Sequence, residues 1–264
     1  MRLIVRYILF ILAVFLVIQC KKEEPKPEFE ITDINFLNAL IQLGIDTDGN
    51  GIVSPSEAEA VNFLDVSSCD ISDISGIEAF INLDTLLCYN NQFTTLDVSN
   101  NTDLILLKCE NNWLTYLDVS NSTVLRYLLC YYNNLTSLDV SNNTALEKLF
   151  CFNNQLTALD VSDDTVLKYL DCSDNQLTSL DVSNNTSLFS LSCGNNQFTT
   201  LDVSYNISLG LTEEGYYCFS CCLDIRNMRS LEKVCVWTMP FPPAGFPLCA
   251  EGSPNVYFTT DCGL

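Results

Sequence analysis

The sequence predicts a solenoid: short coils stacked along one axis, each giving one strand to a parallel sheet. Three observations predict it. Residues 83–208 are one phrase written six times at a spacing of 21 residues, starting at Leu83, Leu104, Leu125, Leu146, Leu167 and Leu188, with nothing inserted or lost. A single unit holds too few apolar side chains to bury a core, whereas stacked units share a continuous one. Within each unit apolar and variable positions alternate, as Leu86 and Cys88 do with Thr85, Leu87 and Tyr89, which is the period of a half-buried strand. The class is α/β but mostly β.

Composition narrows the functions. The 264 residues carry a net charge of −21, and loss of Arg2 and Arg6 with a cleaved N-terminal signal would make it more negative still. Such a surface repels nucleic acid and anionic headgroups. Acidity alone fits a disordered chain, but 48% hydrophobic residues with strict periodicity do not. Histidine is absent, which removes the commonest general base and every His-assisted nucleophile or His metal site. An enzyme would have to work with paired carboxylates, and no pair stands out.

Taken in order, residues 1–19 read as an export signal. Arg2 and Arg6 precede an apolar run over residues 7–18 that is short for a bilayer span. The run ends in Val17-Ile18-Gln19-Cys20, followed by Lys-Lys-Glu-Glu-Pro-Lys-Pro. This resembles a bacterial lipoprotein signal, and the charged stretch after Cys20 is similar to tethers of surface-exported lipoproteins in Bacteroidetes-type bacteria. The resemblance implies lipidation at Cys20, anchorage to the outer membrane by the lipid alone, and surface exposure. A simply cleaved signal or a retained anchor are the alternatives, and Gln19 departs from the usual small residue. Residues 20–31 read as a flexible, extended tether.

Residues 32–60 form an expected helical N-terminal cap. Asp46-Thr-Asp48-Gly-Asn50-Gly51-Ile52-Val53-Ser54-Pro-Ser-Glu57 fits the EF-hand loop D-x-[DN]-x-[DN]-G-x5-E. That spacing wraps oxygens around one Ca²⁺: side chains of Asp46, Asp48 and Asn50, the Ile52 carbonyl, Ser54 directly or through water, and bidentate Glu57. The alternative is an acidic turn stapled by hydrogen bonds alone. Phe36, Leu37, Leu40 and Ile41 mark one face of a short first helix that Gly44 can end. Ser54-Pro55-Ser56-Glu57 is a capping box for the second. A lone loop implies a rigid clip holding the helices over the open end of the stack.

Residues 61–230 hold the repeats. Residues 61–82 are a worn first turn with Val61, Leu64, Val66, Ile71, Ile74 and Ile77 near the apolar slots. The six regular copies match L-x-x-L-x-L-x-x-N-x-L with Cys in place of the third Leu, and so resemble leucine-rich repeats; the worn turn is similar to the internalin type. The cysteine column (Cys88, Cys109, Cys130, Cys151, Cys172, Cys193) takes a leucine slot, where free Cys behaves as a small buried hydrophobe; a metal or redox array is the alternative. Asn91 and its equivalents are expected to bond backbone where each coil bends. Asp97, Asp118, Asp139, Asp160, Asp181 and Asp202 are expected to accept from turn amides, with Ca²⁺ between coils as the alternative.

Specificity belongs to the variable slots of the concave face. Tyr89, Tyr127, Leu129, Tyr131, Tyr132, Phe150, Phe152 and Tyr169 place aromatic and apolar groups where solvent is expected. Such a patch marks a binding surface for a protein or glycan partner. Idle variation and self-association are the alternatives, the latter making the chain an adhesive coat. Residues 231–264 read as an irregular, cysteine-rich C-terminal cap after a final strand at residues 231–237. Cys235–Cys262 is the disulfide expected outside the cytoplasm. A zinc site starting at Cys218-x-x-Cys221 would need a second clean pair, which does not follow.

Overall fold

The computed structural model describes residues 29–211 and 222–262. The expected signal, Cys20, most of the tether, Cys218 and Cys221 lie outside the described residues. Nine short parallel strands form one sheet in the order β1-β2-β3-β4-β5-β6-β7-β9-β11. They begin with β1 (Phe63–Asp65) and β2 (Thr85–Leu87) and continue through β3 (Leu106–Lys108), β4 (Tyr127–Leu129), β5 (Lys148–Phe150), β6 (Tyr169–Asp171) and β7 (Ser190–Ser192). Register follows the repeat: Leu107 pairs with Leu86 and Leu128, and Leu149 with Leu128 and Leu170. In each of these strands from β2 to β7 the central leucine is buried and its neighbours are half-buried. The cysteine two residues beyond that leucine points into the same core.

Each coil contributes six apolar side chains to one continuous core. In the second copy these are Leu104, Leu107, Cys109, Leu114, Leu117 and Val119, all at most 2% exposed. Packing alone would leave each bend's backbone groups unpaired, at a cost of about 1–3 kcal/mol apiece. The asparagine column meets that need. Asn112 donates through Nδ2 to the carbonyls of Cys88 and Cys109, both at 3.1 Å, and its Oδ1 accepts from Phe93 N at 3.1 Å. Asn133, Asn154, Asn175 and Asn196 repeat the arrangement.

The repeat phrase also fixes a second polar column, whose burial was not expected. Asn101, Asn143, Asn185 and Asn206 are fully buried at the opposite turn. Asn143 Nδ2 donates to Val119 O at 2.9 Å and Ser122 O at 2.8 Å, while its Oδ1 accepts nothing. Ser122 and Asp164 stand in this column in the second and fourth copies. Neither Asp164 oxygen has a hydrogen-bond partner. Burial, then the charges of Asp163 and Asp160, push its carboxyl up to about 7.

The N-terminal end is sealed by α1 (Ile34–Gln42) and α2 (Pro55–Glu59). Asp33 caps α1 through Asn35 N and Phe36 N, and its other oxygen takes Ser72 N, Ser72 Oγ and Asp73 N from the first coil. The buried face of α1 is Phe36, Ala39 and Leu40, whereas Ile41 is exposed. The face is thus turned slightly from the one expected, because Phe36 packs over Phe80. Gly44 ends the helix at φ +75°.

The C-terminal end departs from expectation. Leu191 pairs with Leu223 of β9 (Leu223–Asp224), so the seventh coil carries extra residues but returns to register. β11 (Leu248–Cys249) then pairs with β9. On the return side β8 (Thr200–Asp202), β10 (Lys233–Cys235) and β12 (Tyr257–Thr259) form a separate parallel sheet in the order β12-β10-β8. The expected cap boundary at residue 231 therefore falls inside a coil, and the segment around β10 is not the final strand. The apolar slots explain it: Leu223, Ile225, Met228, Leu231, Val234 and Val236 stay buried although the polar phrase is lost. Cys235 and Cys262 form a disulfide, and Cys222 and Cys249 are also disulfide-bonded.

Candidate functional site

The strands β2–β7 set every outward side chain of the concave face at the strand spacing of about 4.8 Å. Tyr89, Tyr127, Leu129, Tyr131, Phe150, Phe152 and Tyr169 are half-buried there, and Tyr132 is 51% exposed. Three of them form a cluster. The rings of Tyr131 and Phe152 stack with centroids 4.3 Å apart and planes 8° from parallel. Tyr132 meets both edge-on, at 5.7 and 5.4 Å. Tyr169 pairs instead with Phe189 at 6.2 Å. Tyr89 lies two coils from Tyr131, with Glu110 between them. Lys148 Nζ sits 5.4 Å from the Phe150 ring centroid and 5.2 Å from that of Tyr169.

Tyr132 has an unusual backbone. Its φ is +52°, in a column where the other regular copies have Asn90, Asn111, Asn153, Asp174 and Asn195 at φ between +51° and +54°. Asn and Asp tolerate this region; for a bulky side chain it costs about 1–2 kcal/mol. A tyrosine stands at the one position in the cluster where the backbone disfavours it.

Two residue groups beside the cluster carry charge that the repeat phrase did not single out. Glu110 is 5% exposed on the concave face, with Oε2 accepting no hydrogen bond and Oε1 reached by the Tyr131 hydroxyl at 3.4 Å. Burial pushes its carboxyl up. Beyond Phe152, two adjoining hollows of about 320 and 330 Å³ share Asp171, Ser192, Asp224 and Arg226. Arg226 grips the buried Asp224 in bidentate fashion, with Nε at 2.9 Å from Oδ1 and Nη2 at 2.5 Å from Oδ2. Asp171 accepts from Ser173 N at 3.1 Å and Ser173 Oγ at 2.6 Å. Burial raises both Asp171 and Asp174. Small side chains open this space, and Gly194 lets the backbone of Arg226 approach, since a Cβ there would lie 2.8 Å from Arg226 O.

The loop at residues 46–57 brings carboxylate oxygens of Asp46, Asp48 and Glu57 within 4.8 Å of one another. Asp46 accepts from Asn50 N and Gly51 N, and Asn50 Oδ1 from Ile52 N. These bonds close the turn around the three carboxylates. Ser54 and Glu57 form the capping box of α2. Glu57 also takes Thr47 N and Thr47 Oγ1, and that hydroxyl first, then Ser54, holds its carboxyl at about 2. Val53 is buried and anchors the loop.

The remaining polar and thiol columns are structural in geometry. Asp118, Asp139, Asp160, Asp181 and Asp202 each accept from the amide two residues on at 2.9–3.0 Å. The six column cysteines are fully buried and free. Burial drives their thiols far above the ordinary range, so they are not thiolates.

Solved structures share this stack of coils. The functional domain of InlJ from Listeria monocytogenes, which includes a cysteine ladder, is 30% identical over 77% of this chain and 56% of its own, with a TM-score of 0.53. The fold is that of a leucine-rich-repeat solenoid. An internalin, inlF, from Listeria monocytogenes str. 4b F2365 is 25% identical over 77% of this chain and 62% of its own, with a TM-score of 0.60. The chain thus spans little more than half to three-fifths of these two proteins. Internalin C2 of the same strain shares the fold at 21% identity and a TM-score of 0.58, over 86% and 93% of the two chains. No family model and no curated protein matches the sequence. Among the described residues, no helix of this leucine-rich-repeat chain is long and apolar enough to cross a membrane.

Proposed function

We propose that the chain is a non-catalytic binding protein that holds a protein or glycan partner on its concave face. One observation carries the reading. Tyr132 occupies a left-handed backbone position that favours Asn, and there it completes an aromatic cluster with Tyr131 and Phe152. Strain kept at a surface position points to use of that position. The aromatic groups supply large, stiff contact area, as binding anchors do. A carboxylate-based hydrolase gains nothing from the hollow, because Asp224 is committed to Arg226. Replacing Tyr131, Phe150 and Phe152 together by Ala is expected to abolish capture of surface proteins or glycans by the full chain. The thermal midpoint should stay nearly unchanged, because these side chains are outside the core. Capture that survives the triple change sinks the reading.

The same proposal places the protein outside the cytoplasm, held to the outer membrane by lipid on Cys20. Residues Asp46, Asp48, Asn50, Ile52, Ser54 and Glu57 would hold one structural Ca²⁺. The convergent carboxylates fit a hard cation with oxygen ligands, and Glu57 would exchange part of its bonding to Thr47 for the ion. At a hundredfold excess over the dissociation constant, Ca²⁺ would add about 2.7 kcal/mol to stability. The melting temperature of the parent should therefore rise with Ca²⁺, and that of Asp46→Ala/Glu57→Ala should not. Identical responses of the two proteins would remove the site.

A further inference from the structure

We propose that the hollow beyond Phe152 seats a lysine or arginine side chain from an extended basic segment of a protein partner. This deepens the concave-face reading and rests on it. The argument starts from the ring stack. Tyr131 covers one face of Phe152, and its own coil order places the other face toward the fifth copy, where the hollow lies. An aromatic face is negative, so the wall and the floor have the same sign. The floor holds Asp171, Asp174 and Asp224 against a single cation, Arg226, whose guanidinium is bound to Asp224. Burial already works against the charges on Asp171 and Asp174, and an incoming cation would relieve that cost.

Two further observations point the same way. Glu110, across the ring stack, is a buried acid whose Oε2 has no hydrogen bond, so a further unmatched carboxyl lies along the face, with Lys108 near it. The chain also shows that its own rings accept an ammonium, since Lys148 lies over both Phe150 and Tyr169 at the rim. A neutral glycan would use the ring face but would leave the carboxylates as they are. The net charge of −21 adds attraction at long range to a basic partner.

The probe is hexalysine, titrated calorimetrically into the full chain at about physiological ionic strength, with hexaglutamate and a neutral hexasaccharide beside it. A chain this acidic attracts polycations without specificity, so two isosteric variants are compared. Asp171→Asn/Asp174→Asn removes two charges from the hollow, and Asp118→Asn/Asp139→Asn removes two from the turns while keeping their acceptors. The expected result is hexalysine binding that weakens about tenfold or more in the hollow variant, as loss of a desolvated charge pair should, and about twofold or less in the turn variant. Equal weakening in both, no hexalysine binding at millimolar concentration, or binding of the hexasaccharide instead would each overturn the proposal. If the aromatic triple variant loses its captured partner while the hollow variant retains it, the concave-face reading stands and the basic-segment reading fails.

Discussion

Two asparagine columns run through the same coils, and they are finished differently. In the column at the strand ends, Asn133 uses both ends of its amide: Nδ2 on the carbonyls of Cys109 and Cys130, Oδ1 on Leu114 N. In the column at the opposite turn, Asn143 uses only Nδ2, and Oδ1 is left without a partner. The first column has asparagine in all six regular copies. The second admits Ser122 and Asp164. A side chain that closes three bonds, two of them to the preceding coil, is costly to vary, whereas one that needs only to donate can be replaced at a smaller cost.

The sharpest way to break this contrast is Asn133→Ala. It strands the Leu114 amide in the core and removes one of the two asparagine donors from each of the Cys109 and Cys130 carbonyls, and the expected loss is about 3–5 kcal/mol, read as a lower urea midpoint. A loss under about 1 kcal/mol would mean that the bend is held by something else. Next comes Asp164→Asn, which should stabilise. Asp164 titrates at about 7 in the folded chain against an ordinary 3.8. Its folded pKa is raised, so its contribution is fully present below about 3.8 and is lost as pH rises through about 7. At about 1.4 kcal/mol per unit the ceiling is about 4 kcal/mol. The asparagine variant should exceed the parent by about 2–4 kcal/mol at pH 8 and lose the slope between pH 5 and 8; parallel melting curves across that range would refute the assignment. The smallest change is Tyr132→Asn, which restores the column residue at the left-handed position. It should gain about 1 kcal/mol in chemical denaturation while weakening partner capture. A variant that gains stability and keeps full capture would show that the strain at Tyr132 serves nothing.

The regular coils were legible in the sequence because six copies in strict phase fix which positions face inward. Leu86 and Cys88 are buried and Tyr89 is half-buried, as alternation requires. The aromatic face was legible for the same reason. The Asp171–Asp224–Arg226 hollow was not. Its residues come from the fifth and seventh coils and meet only because Leu223 returns to register with Leu191 after the extra residues. No local pattern announces that return, since Ile225 and Met228 keep the apolar slots while the polar marks of the phrase are gone. The second asparagine column was legible as a fixed slot of the phrase but its burial was not: Asn101 follows Ser99 and Asn100 and looks like one more polar turn residue. The charge on Glu110 was visible, but its burial depends on Tyr131 in the next coil.

The fully buried thiols have a consequence for the order in which the chain acquires its covalent bonds. Among the described residues seven cysteines are free, whereas Cys235 and Cys262 are joined to each other and Cys222 and Cys249 are also disulfide-bonded. Mispairing is therefore a hazard only while the coils are open. Contacts between coils are about 21 residues apart in sequence, and closure of such short loops is fast compared with thiol oxidation, which takes seconds to hours. Stacking hides the column thiols first and holds them protonated, leaving the half-buried Cys69 and the C-terminal cysteines as the ones an oxidant can still reach. The solenoid thus acts as its own sorting device, deciding by the timing of burial which sulfurs remain available for pairing.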